Sequence, residues 1–142
     1  MRKKVLDNIF VDTNIIVGAF VGLEKEKKCL DYLFSPAINR RRLFLSSLSI
    51  AQFVAMFQRR KIDDNEIRKY VKFLLSKFNI ISFTENDINE SLEFKHGDME
   101  DAMQFVIGKK VRCFYYVTNN TKDYNKIKNI KVINSMKVRN ID

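Results

Sequence analysis

Proline, glycine and tryptophan are almost missing from this 142-residue chain, which has one Pro, four Gly and no Trp. So few turn formers exclude collagen-like, linker-like and turn-dense all-β architectures. Core bulk comes instead from 12 Phe. Cysteine is scarce as well. Cys29 and Cys113 lack a CxxC partner and metal-site spacing, and they read as buried thiols in a reducing cytoplasm. No apolar run reaches the roughly 18 residues of a membrane span, so no membrane association is expected. The basic start MRKK leads into a run broken by Asp7, Asn8 and Asp12, unlike a secretory leader. Without repeats, linkers or low-complexity tracts, residues 1–142 read as one domain, long enough to bury roughly 70% of its unfolded surface.

Acidic residues are the minority charge. Twenty-six Lys and Arg face 17 Asp and Glu, a net charge of +9. That excess favours polyanionic partners, nucleic acid before membrane. Its densest clusters are Arg40-Arg41-Arg42 and Arg59-Arg60-Lys61, with Lys122, Lys126, Lys128 and Lys131 forming a looser one. A solvated surface is the plain alternative for any one of them.

Short β-prone runs alternate with helical periods, which predicts an α/β fold: a three-layer α/β/α sandwich around a mostly parallel sheet of four or five strands. Ile9–Val11, Leu43–Leu45, Ile80–Phe83 and Cys113–Val117 read as strands, with Val132-Ile133 a possible fifth. Helices are predicted over Glu24–Phe34, from Ser49 to Arg59, and from Asp63 or Asp64 to about Lys77. The last of these should bury Ile67, Val71, Leu74 and Leu75. Phe53, Phe57, Phe73 and Phe78 fall at helical spacings and read as core. Thr84–Asp87 has the form of a capping box opening a helix to about Lys95. Asp98 caps another, ending at Gly108. The lone histidine, His96, reads as a polar residue at a helix C-terminus.

In open parallel sheets, sites form beyond the carboxyl ends of strands. Asp12 ends the first strand, Asp123 lies in the loop after the fourth, and Asp98 and Asp101 open the preceding helix, one turn apart. Carboxylates gathered there repel one another unless a cation lies between them. Mg²⁺ accepts a few carboxylates, keeps several waters and leaves room for phosphate oxygens. Such a site could activate water against a nucleic-acid backbone. Glu100 is expected to point away.

These residues resemble a family. Ile9-Phe10-Val11-Asp12-Thr13-Asn14 is similar to the opening strand and acidic signature of PIN-domain proteins. Asp98-Met99-Glu100-Asp101-Ala102 resembles their third block, and Tyr116–Tyr124 their final strand and polar loop. The resemblance implies Mg²⁺- or Mn²⁺-dependent cleavage of single-stranded RNA, often by a VapC-type toxin with an antitoxin and commonly as a homodimer. Carried over by position, Asp12 and Asp101 are catalytic, and Asp12, Asp98, Asp101 and Asp123 are metal ligands. Thr13, Asn14, Gln52, Thr118 and Asn120 shape the site. RNA contacts are expected from Arg40, Arg41, Arg42, Arg59, Arg60 and Lys61.

The second block, Ser46–Gln52, departs from the pattern, because the family usually carries Glu where Gln52 stands. Gln is expected to keep an oxygen ligand but loses a charge, and metal affinity depends on ligand charge. A catalytically weak or inactive module that binds RNA or protein is therefore the alternative. A haloacid-dehalogenase-like phosphatase would need Asp where Asn14 stands, and no glycine-rich phosphate loop is present.

Overall fold

The computed structural model describes residues 7–38, 40–95, 97–123 (Asp123 by its backbone alone) and 129–141. Five strands, β1 (Asn8–Val11), β2 (Arg42–Ser46), β3 (Asn79–Ile81), β4 (Tyr115–Val117) and β5 (Lys131–Ile133), form one sheet in the order β3-β2-β1-β4-β5. Every neighbouring pair is parallel, with Ile9 opposite both Leu43 and Tyr115. The helices are α1 (Thr13–Phe20), α2 (Glu24–Leu33), α3 (Ser47–Arg59), α4 (Asp64–Lys77), α5 (Glu85–Leu92) and α6 (Met99–Lys110). A six-residue 3₁₀ segment, Ser135–Asn140, follows β5. No helix of the described residues is long and apolar enough to cross a membrane.

Alternation along the central strands creates two cores. Ile9 and Val11 face one layer, which joins Ile15, Ile16, Leu30, Leu33, Phe53, Phe57, Ile67 and Leu74 from α1 to α4. Phe10 faces the other, with Phe105, Ile107, Cys113 and Tyr116. Helices α5 and α6 pack together, and α6 covers that second face through Phe105 and Ile107. The result is the three-layer α/β/α sandwich expected. Both cysteines are buried and free.

Several boundaries and faces differ from the sequence reading. Helix α6 continues past Gly108 to Lys110. Gly108 is not a cap; a Cβ there would lie 3.0 Å from Tyr116 Cδ2, so the glycine lets the helix pack closely on β4. The turn after α6, with Arg112 at φ +53°, shortens β4 to Tyr115–Val117. Helix α5 stops at Leu92, before Lys95. On α4, Ile67 and Leu74 are buried, but Leu75 lies about 100° further round and is 54% exposed. Phe73 is 41% exposed despite its ring contacts with Phe20 and Phe34. Asp63 caps α4 through Asn65 N, and the Thr84–Asp87 box forms as expected.

Candidate active site

The chain builds β1, β2 and β3 outward in one direction, then returns to lay β4 and β5 on the other side of β1. This reversal opens a crevice beyond the carboxyl ends of β1 and β4. Asp12 is the first residue after β1 and Thr118 the first after β4. Their backbones are tied by adjacent pairing, with Asp12 N donating to Val117 O at 2.9 Å.

Asp12 is only 5% exposed. As the N-cap of α1 it accepts at Oδ1 from Thr13 N at 2.7 Å. Its Oδ2 accepts from Thr118 Oγ1 at 2.7 Å and from Asn14 Nδ2 at 3.3 Å. Burial pushes its carboxyl from 3.8 up to about 6, opposed by the Thr118 and Thr13 hydrogen bonds and assisted by repulsion from Asp101 and Glu100.

Asp101 arrives from α6. Asp98 Oδ1 accepts from Asp101 N at 2.9 Å, and Asp101 Oδ2 accepts from Asp98 N at 3.4 Å, closing a capping box. Asp101 Oδ2 also accepts from Asn120 Nδ2 at 2.8 Å. Asn120 N in turn donates to Thr118 Oγ1 at 3.1 Å. Thr118 and Asn120 therefore connect the two carboxylates in one hydrogen-bonded relay. Both carboxylates line a cleft of about 460 Å³ with Asn14, Gln52, Arg59 and Glu100. Glu100 thus faces the site, contrary to expectation: it stands in the first turn of α6, where the side chain of an exposed residue reaches the crevice.

Gln52 belongs to a neutral network beneath the cleft. Its Oε1 accepts from Thr13 Oγ1 at 2.7 Å and from Gln104 Nε2 at 3.1 Å. The two Nε2 hydrogens of buried Gln104 are shared among Gln52 Oε1, Ser49 Oγ and Thr13 Oγ1, and its Oε1 accepts from Ser46 Oγ at 2.9 Å. The Gln52 oxygen that was expected to serve as a ligand is thus engaged by two donors. What remains is an amide NH₂, a donor that cannot bind a cation.

The PIN domain family model matches residues 9–125 of this chain. The chain belongs to the PIN domain family. Among curated proteins, it is 26% identical over 127 residues to Ribonuclease VapC1 of Aquifex aeolicus, covering 83% of this chain and 85% of the relative. Among solved structures, the fold is similar to a toxin–antitoxin complex from Klebsiella pneumoniae, with a TM-score of 0.63 at 22% identity, over 86% of this chain and 94% of that one. It is also similar to VapC20 of Mycobacterium tuberculosis, described as a sarcin–ricin loop cleaving toxin, with a TM-score of 0.62 at 14% identity, over 87% and 98% of the two chains.

Whether this PIN domain suits a divalent cation can be judged from its donors. Carboxylates from two elements share a cleft, Asp12 beyond β1 and Asp101 with Glu100 on α6, and repulsion from that pair adds to the burial that raises Asp12. Among the described residues, no three His, Cys, Asp or Glu side chains form a metal-holding group. The donor set that is present, carboxylates in one cleft with room for waters, is of the kind that a hard divalent cation takes.

The other candidates separate. Asp98 is exposed and acts as a cap. The side chain of Asp123 lies outside the described residues, as do His96, Lys126 and Lys128. Arg59 lines the cleft, and Arg60 and Lys61 follow it at the exposed end of α3. Arg40–Arg42 do not join them. Arg42 pairs in register with Asn8, at the opposite end of β1 from Asp12. Arg41 is bound to Asp7 and stacks on Tyr115. Gln104 and Asn119 went unnoticed in the sequence. For Gln104 a signal existed, since it lies one turn after Asp101 on the same helix face.

Proposed function

We propose that this PIN domain is a Mg²⁺- or Mn²⁺-dependent endoribonuclease that cleaves single-stranded RNA, acting as the toxin of a toxin–antitoxin pair. The observation that carries the reading is the pairing of Asp12 and Asp101 through Thr118 and Asn120 in one cleft. The names of the similar proteins, a ribonuclease, a toxin–antitoxin complex and a loop-cleaving toxin, support the substrate and the partner. A homodimer belongs to the same reading.

Asp12 and Asp101 would hold the cation, which when bound supplies an acidified water and neutralises charge on the phosphodiester. The chain's own residues do the rest. Thr118, Asn14 and Thr13 N fix the Asp12 carboxylate by donating to it. Asn120 orients Asp101. Arg59, at the cleft wall, offers a cation to a phosphate oxygen. Asp98 holds the first turn of α6, and any contribution from Asp123 comes through the loop after β4.

The second reading, a weak or silent module that binds RNA or protein, is favoured by Gln52, whose oxygen is already engaged. One experiment decides between them. Labelled single-stranded RNA is incubated with the natural chain, Asp12→Asn and Gln52→Glu, with Mn²⁺ or chelator. Chelator-sensitive cutting that Asp12→Asn abolishes supports the enzyme. Cutting by Gln52→Glu alone supports the silent module.

A further inference from the structure

We propose that the groove between α2 and the 3₁₀ segment Ser135–Asn140 seats the phosphate backbone of single-stranded RNA beside the cleft. The proposal rests on the ribonuclease reading and names the surface that feeds its site. The groove, about 310 Å³, is lined by Lys25, Lys28, Cys29, Ser135, Met136 and Arg139, among others. Lys25 and Arg139 are exposed and have no ion pair with any described residue. Lys28 meets Glu24 at 3.8 Å, but both side chains are well exposed and the attraction is weak. Three cations therefore border one groove that contains no acidic lining residue. Met136, 70% exposed, adds an apolar surface to the groove.

Its position relative to the cleft follows from hydrogen bonds. Ser135 N donates to Asn119 Oδ1 at 3.4 Å, and Asn119 Nδ2 donates to Glu26 Oε1 at 2.8 Å. Asn119 thus binds the openings of both groove walls, Ser135 of the 3₁₀ segment and Glu26 of α2. The next residue, Asn120, holds Asp101. At the far end of the walls, Tyr32 OH donates to Ile141 O at 3.4 Å, so the two segments run side by side away from the cleft. Arg59 lines the cleft itself, whereas Lys25, Lys28 and Arg139, scattered in the sequence, border the adjoining groove. The densest run, Arg40–Arg42, is at the other end of the sheet. Charge complementarity selects a polyanion, and on the ribonuclease reading the neighbouring cleft makes that polyanion the RNA strand.

The test uses the full chain with Asp12→Asn as a common background, so that RNA survives. Binding of a fluorescent single-stranded RNA is followed by anisotropy from about 50 to about 200 mM salt. Lys25→Ala with Arg139→Ala should weaken binding and flatten the log–log salt slope by about 1.4, since each lost single-strand phosphate contact removes about 0.7. Arg40→Ala with Arg42→Ala should leave the slope unchanged. An unchanged slope in the Lys25/Arg139 variant overturns the proposal, and cutting by the natural chain then shows that the ribonuclease reading survives it. A flattened slope with no cutting by the natural chain keeps the surface and removes the ribonuclease. Unchanged RNA binding with lost binding of an oligoglutamate peptide assigns the groove to an acidic protein and also overturns the proposal.

Discussion

Asp12 is a carboxylate buried beside two others, and its ionisation works against the fold that holds it. Its carboxyl is raised from 3.8 to about 6, chiefly by burial. The folded chain therefore keeps a proton that the unfolded chain has already released between those values. By linkage, stability falls as pH rises through that window and stays lower above it. About two units correspond to roughly 3 kcal/mol. Asp12→Asn removes the charge, so in chelator at pH 7.5 it should stabilise the protein by up to about 3 kcal/mol. Near pH 4 the difference should fade. Urea denaturation at the two pH values checks this, and equal gains at both would reject it. Gln52→Glu acts oppositely. Its Oε1 can keep the bonds from Thr13 and Gln104, while the second oxygen replaces the NH₂ with charge. Mn²⁺ should bind about one to two decades more tightly, or roughly 1.4–2.8 kcal/mol, as calorimetry would measure.

At the scale of elements, the packing of α1 on α2 depends on a missing side chain. A Cβ on Gly18 would lie 2.7 Å from Glu26 Cγ. Glu26 is buried and its Oε1 is bound by Asn119, so it cannot swing away cheaply. Gly18→Ala should therefore lower stability by about 1–3 kcal/mol despite its better helix propensity. Because the shift passes through Glu26 to Asn119, it should also loosen the loop after β4, which hydrogen exchange at Asn119 and Asn120 would detect. This contact was not legible in the sequence, and the reason is general. What the sequence displays is local: Asp12 at a strand end, the Thr84–Asp87 box, and acidic blocks at the ends of elements. Those signals located the sheet, both core cysteines and the Asp12–Asp101 pair. Contacts across layers leave no local mark. Ser46 and Gln104 meet across 58 positions, Glu26 and Asn119 across 93, and Arg41 is taken by Asp7. Dense charge in sequence therefore pointed to the site at Arg59 but not at Arg40–Arg42, and the second block gave no sign that its Gln oxygen is occupied.

For the whole molecule, the proposed cation site would couple binding to folding, because Asp12 and Asp101 stand far apart in the chain. Asp12 follows β1 and Asp101 stands in the first turn of α6. An unfolded chain separates them, so a cation that bridges them binds the native state selectively. Such binding stabilises by RT ln(1 + [L]/Kd), about 2.7 kcal/mol at a hundredfold excess over Kd. For a chain of 142 residues this corresponds to a rise in Tm of roughly 8 °C. The gain must depend on pH. With Asp12 raised to about 6, protons compete with the cation at pH 5 and the rise should shrink there, whereas at pH 7.5 it should be full. Asp12→Asn should abolish it at both values, even though that variant starts from a higher Tm in chelator. Thermal melts of the two proteins with and without Mn²⁺ measure all four quantities. A Mn²⁺-induced rise that Asp12→Asn leaves intact would place the cation away from this cleft. The raised carboxyl of Asp12 would then be a plain cost of capping α1 inside a buried crevice.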